Sequence, residues 1–131
     1  MASEKVTFLN ENGHALAARL ELPENEPIGY ALFAHCFTCN KNFTAVRNIG
    51  KALNKAGIAV LRFDFTGLGE SEGDFENTNF SSNVDDLISA ANFLKENYQA
   101  PKILIGHSLG GAAVIFAANK IESVEAVATI G

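Results

Sequence analysis

Gly106-His107-Ser108-Leu109-Gly110 sets one hydroxyl between two glycines. The apolar run Ile103-Leu104-Ile105 precedes it, and the small residues Gly111-Ala112-Ala113 follow. Read physically, this is a strand, a very tight turn and a helix, with Ser108 at the apex. Glycine is needed where strand and helix backbones pass too closely for side chains. Ser108 then stands at the carboxyl end of a strand and the amino end of a helix, where free N–H groups and the helix dipole favour negative charge. That environment suits a nucleophile that builds an oxyanion on its target.

Other residues compete for a chemical role. Cys36-Phe37-Thr38-Cys39 is a CxxC ahead of a helical pattern, and a helix amino terminus lowers a thiol pKa. A redox or metal pair is one reading, and two reduced thiols in a loop is the blander one. Zinc needs about four ligands, and no second Cys/His pair is present. His35 is expected to shape its loop by hydrogen bonding, with substitute base as the alternative. His107 reads as structural, and His14 as exposed in a turn. Asp64 is expected to do structural work with Arg62 and the following turn. Gly67-x-Gly69 only faintly resembles a dinucleotide loop, because the third glycine, Gly73, comes one place late.

These residues need elements to hold them. Val6 and Phe8, then Leu16, Ala18, Leu20 and Leu22, alternate about the Asn12-Gly13 turn signal, which predicts a hairpin over 4–9 and 14–22. Residues 28–34 and 58–63 read as strands buried on both faces. Phe43, Val46, Ile49, Leu53 and Ala56 recur at helical spacing before Gly57. Residues 66–73 form a long loop. Phe80, Val84, Leu87, Ile88, Ala91 and Leu94 predict an amphipathic helix, with Asp85 and Asp86 read as complementing its dipole. A helix from Ser108 to about Lys120 and a strand over 124–130 complete the order. A hairpin followed by alternating strands and helices predicts an α/β fold with a mostly parallel sheet. The loops at His35, Asp64 and Ser108 then converge beyond the carboxyl ends of its strands, where such sheets bind ligands.

The chain has 131 residues, enough for one domain with a real core. A net charge of -5 gives no reason to expect nucleic-acid binding. No run approaches the ~18 apolar residues of a membrane span, and Met1-Ala2-Ser3-Glu4-Lys5 lacks a signal-peptide core. A cytoplasmic location is the expectation.

Gly106-His107-Ser108-Leu109-Gly110-Gly111 resembles the nucleophile elbow of the α/β-hydrolase superfamily. Arg62-Phe63-Asp64-Phe65-Thr66-Gly67-Leu68-Gly69-Glu70-Ser71 resembles its loop after the fourth strand, and Ala34-His35-Cys36-Phe37-Thr38 its oxyanion loop. The set is similar to the hydrolase domain fused to OsmC-like domains in some bacterial proteins. The resemblance implies that Ser108 attacks an acyl carbonyl, with the oxyanion held by the N–H groups of Leu109 and Phe37. It also implies a histidine base and an acid after the nucleophile. After Ser108 this chain has no histidine or aspartate, only Glu122 and Glu125, and both precede the last strand.

The reading is therefore one partial α/β-hydrolase domain over 1–131, ending after about six strands. The resemblance leads to the expectation of a serine hydrolase acting on an ester, thioester or amide through Ser108, incomplete in this chain because no base or acid follows the nucleophile, and needing no cofactor. A non-catalytic scaffold or fusion module and a CxxC redox domain are the alternatives. In the family's strand order a seventh strand flanks the one over 124–130. Left as an edge with one charge and no proline, that strand is expected to pair two copies of the chain.

Overall fold

The computed structural model describes residues 2–35 and 44–131. Alternating apolar residues form β1 (Ala2–Leu9) and β2 (Ala15–Leu22), paired antiparallel from Ala2↔Leu22 to Leu9↔Ala15. Asn10 makes the turn between them. Its Oδ1 accepts the amides of Asn12 at 2.9 Å and His14 at 2.8 Å, while Gly13 takes the left-handed φ of 82°. The predicted bounds agree to within two residues.

Next come β3 (Gly29–Ala34), α1 (Thr44–Lys55), β4 (Ile58–Phe63), α2 (Phe80–Asn97), β5 (Ile103–His107), α3 (Leu109–Ala118) and β6 (Ala126–Ile130). The six strands form one sheet in the order β1-β2-β4-β3-β5-β6. β2 runs antiparallel to β4, and β4, β3, β5 and β6 are mutually parallel. All six residues of β3 are buried, as its continuous apolar run required of a central strand. α3 stops at Ala118 and β6 starts at Ala126, each two residues inside the expected limits.

The sheet has a core on each face. On one, Leu32, Leu61, Phe63 and Leu104 pack with Leu87, Leu94 and Val114. On the other, Phe33, Val60 and Ile105 pack with Val46, with Ile49 and Leu53 beside them. α2 starts cleanly because Asn79 and Ser82 cap each other. Asn79 Oδ1 accepts the Ser82 amide at 2.9 Å, and Ser82 Oγ accepts the Asn79 amide at 2.9 Å.

Two expectations are corrected here. Neither Asp85 nor Asp86 complements the dipole of α2, whose first turn holds no acidic residue. Asp86 is 3% exposed. Its Oδ2 accepts the Thr66 amide at 2.8 Å, and its Oδ1 accepts the Thr66 hydroxyl at 2.9 Å. Thr66 Oγ1 in turn accepts Asn10 Nδ2 at 2.8 Å. One carboxylate thus ties α2, the loop after β4 and the hairpin turn together. His14 is half-buried rather than exposed, with its Nδ1 enclosed beside Gly73.

Burial holds the Asp86 carboxyl above its ordinary value of 3.8, against the Thr66 hydrogen bonds that pull it down. A raised folded pKa gives a contribution that is complete below the unfolded value and lost as pH rises through the folded value. Asp86→Ala is expected to cost about 2–4 kcal/mol by leaving two buried donors unmet. The gap between wild type and variant should narrow as pH rises above 3.8. Urea unfolding of both proteins across a pH series measures it, and a gap that widened with pH would contradict the assignment.

Candidate active site

β5 delivers Ser108 to the carboxyl end of the sheet, and α3 begins at the next residue. Ser108 has φ 57° and ψ −119°. It is the one non-glycine with positive φ among the described residues. Such a conformation costs about 1–3 kcal/mol and persists only where its surroundings enforce it. The enforcement is visible in the glycines. A Cβ on Gly106 would strike the Gly110 carbonyl and lie 2.6 Å from the Gly111 Cα. A Cβ on Gly110 would strike the Ala34 carbonyl oxygen and lie 2.6 Å from that of His35. The elbow therefore presses α3 onto β5 and the end of β3 at once.

The turn is also pinned from the side. Ser108 N donates to Ile130 O at 2.8 Å, so β6 holds the apex residue. Gly111 N donates to Ser108 O at 2.9 Å, which closes the first turn of α3. The Ser108 side chain makes no capping bond and is exposed, so its hydroxyl is available. The amides that open a helix have no partner within it, and that of Leu109 is the first of them. The Leu109 side chain is 53% exposed beside the hydroxyl.

His35 follows β3 and is 1% exposed. Its Nε2 lies 3.6 Å from Asp64 Oδ1, and its ring meets Phe65 edge-on at 5.3 Å. Asp64, fully buried, accepts the Glu70 amide on Oδ2 at 3.1 Å, and its backbone carbonyl accepts Ser71 Oγ at 2.6 Å. A side chain at Gly69 would collide with that carboxylate. His35 and Asp64 therefore bring the residue after β3 against the loop after β4. Arg62, two residues earlier and on β4, is paired with Glu21 of β2. Its Nη2 donates to Glu21 Oε1 at 2.6 Å.

Of the sequence-derived site residues, Ser108 and Leu109 stand together at the elbow. Phe37, Cys36 and Cys39 lie outside the described residues. His107 is half-buried at the end of β5. The amide of Glu125 donates to the Lys102 carbonyl at 2.8 Å, which puts Glu125 at the opposite end of the sheet from Ser108. The sequence reading missed the Ile130 carbonyl, which nothing local to residue 130 announces. No helix among the described residues is long and apolar enough to cross a membrane.

A family model described as serine aminopeptidase, S33, matches residues 27–131. The chain is similar to a mitochondrial palmitoyl-protein thioesterase, ABHD10, of Bos taurus. The two are 32% identical over 102 residues, 75% of this chain and 32% of the relative. It is also similar to the monoglyceride lipase of Rattus norvegicus, 29% identical over 85% of this chain and 37% of the relative. Among solved structures, the esterase domain of a Rhodothermus marinus protein is 54% identical with a TM-score of 0.81. The match covers 98% of this chain and 50% of that one. The chain thus spans about a third of the curated relatives' length and half of the solved esterase domain.

Proposed function

As the chain belongs to the α/β-hydrolases of the serine aminopeptidase S33 family, we propose that Ser108 is the nucleophile of a serine hydrolase acting on small acyl substrates. The observation that carries this reading is an exposed hydroxyl at positive φ, unused as a cap, at the amino end of α3. Attack by Ser108 Oγ on an acyl carbonyl gives a tetrahedral oxyanion. The N–H groups of Leu109 and Phe37 receive it, each worth about 3–4 kcal/mol in the transition state. The thioesterase and lipase names of the relatives favour an ester or thioester over an amide.

Residues 1–131 form part of one domain in this reading, with the base and acid supplied from outside them. A longer parent carrying an OsmC-like domain and a cytoplasmic location belong to the same proposal. The test is a chimera in which this chain replaces the matching half of the Rhodothermus marinus esterase domain. It should hydrolyse p-nitrophenyl acetate and lose that activity with Ser108→Ala. A chimera whose rate survived Ser108→Ala would overturn the assignment.

Self-association through β6 is the remaining part. Ala126 and Ile130 bond towards β5, so by alternation Val127 and Thr129 turn their backbone groups outward. A two-fold axis through Ala128 would set Val127 of each copy against Thr129 of the other. It would also keep the two Glu125 side chains apart. Light scattering at several concentrations should show a dimer, weakened by Val127→Lys. A monodisperse monomer at high concentration would contradict it.

A further inference from the structure

A cleft of about 510 Å³ opens between α1 and the β1–β2 side of the sheet, lined by Ser3, Arg19, Glu21, Arg47, Lys51 and Arg62. It gathers four of the ten lysines and arginines of a chain whose net charge is -5. None of its lining comes from β5 or α3, which carry Ser108.

The arrangement is not what packing alone would select. Arg19 and Arg62 are direct cross-strand partners in the β2–β4 pair, and like charges in that position repel. Glu21, on the same face, relieves only one of them. Its Oε1 accepts from Arg62 Nη2 at 2.6 Å and Nε at 3.2 Å. Arg19, half-buried, donates from Nη1 to the neutral Ser3 hydroxyl at 3.4 Å. Arg47 and Lys51 stand one helical turn apart on the exposed side of α1, with no ion pair to a described residue. Among the described residues, three cations thus face one cleft whose one carboxylate is already engaged.

We propose that this cleft binds a phosphate-type dianion, either free or as part of a larger phosphoryl compound. Guanidinium forks match phosphate oxygens in pairs, and an ammonium adds a compact charge. The dianion takes the place that a second carboxylate would otherwise fill, between Arg19 on the sheet and Arg47 and Lys51 on the helix. The proposal is independent of the reading of Ser108.

The 131-residue chain is titrated calorimetrically with inorganic phosphate, with chloride holding ionic strength constant. In parallel it is sedimented with phosphatidylcholine vesicles with and without phosphatidic acid. Saturable heat with phosphate assigns the cleft to soluble phosphoryl compounds. Sedimentation that depends on phosphatidic acid, without heat from phosphate, assigns it to a lipid headgroup. In either case the Arg47→Gln/Lys51→Gln variant should bind about tenfold or more weakly. Both side chains are exposed, so the thermal melt should be kept. Arg19→Gln is the second variant and should weaken binding in the same assay. No binding in either arm, or binding that neither variant alters, overturns the proposal.

Discussion

Expressed as these 131 residues alone, the chain is expected to hydrolyse p-nitrophenyl acetate about 10⁶-fold more slowly than the chimera carrying the second half of the Rhodothermus marinus esterase domain. Its three histidines explain why. His35 is buried, with its Nε2 3.6 Å from Asp64 Oδ1. His14 belongs to the hairpin at the far side of the sheet. His107 ends β5 and is half-buried, while Ser108 beyond it is exposed. What remains in the proposed reading is an oxyanion site and a serine hydroxyl without its general base. Ser108→Ala should therefore leave the slow rate of the isolated chain nearly unchanged while abolishing that of the chimera. A robust rate in the isolated chain, lost on Ser108→Ala, would refute this and point to His35 or a partner copy as base.

The second large effect is on folding. Gly110→Ala adds one methyl group where the nearest atoms are the carbonyl oxygens of Ala34 and His35 and the Ala34 carbonyl carbon at 2.9 Å. These are backbone atoms at the end of the central strand, in register with β5 through Ala34↔Gly106. They cannot retreat without opening the β3–β5 ladder. The expected loss exceeds about 4 kcal/mol, out of a typical total of about 5–15 kcal/mol, so little folded protein should remain. Gly29→Ala is the control, since nothing lies within 4 Å of its added Cβ. Its stability should change by no more than about 1 kcal/mol. Denaturant unfolding of the two variants decides, and a Gly110→Ala chain as stable as wild type would contradict the tight elbow.

Most of the architecture was legible because it rests on local periodicity. Strand alternation in 15–22, the apolar run of 29–34 and the helical spacing from Val46 to Leu53 each describe their own burial. The elbow was legible for a related reason: the glycine demand of a tight turn is written within five residues. Asp86 was not, because an aspartate on a helix looks the same whether it faces water or a threonine twenty positions earlier. Its role appears only when Thr66 and Asn10 arrive beside it. The pairing of Arg62 with Glu21, 41 residues apart, was hidden in the same way. Asp64 was half readable: its turn partner Glu70 is near in sequence, while its contact with His35 depends on β3 and β4 being neighbours.

The hydrogen bond from the Ser108 amide to Ile130 gives the outermost strand a hold on the proposed nucleophile. All five residues of β6 are exposed, and sheet margins open locally with far less free energy than the whole fold requires. The geometry of Ser108 is therefore a population, set by the fraction of time that the last ladder stays closed. Anything that seats against β6 and keeps it closed raises that fraction. For the proposed hydrolase it would thereby act as an activator while touching neither the serine nor its substrate.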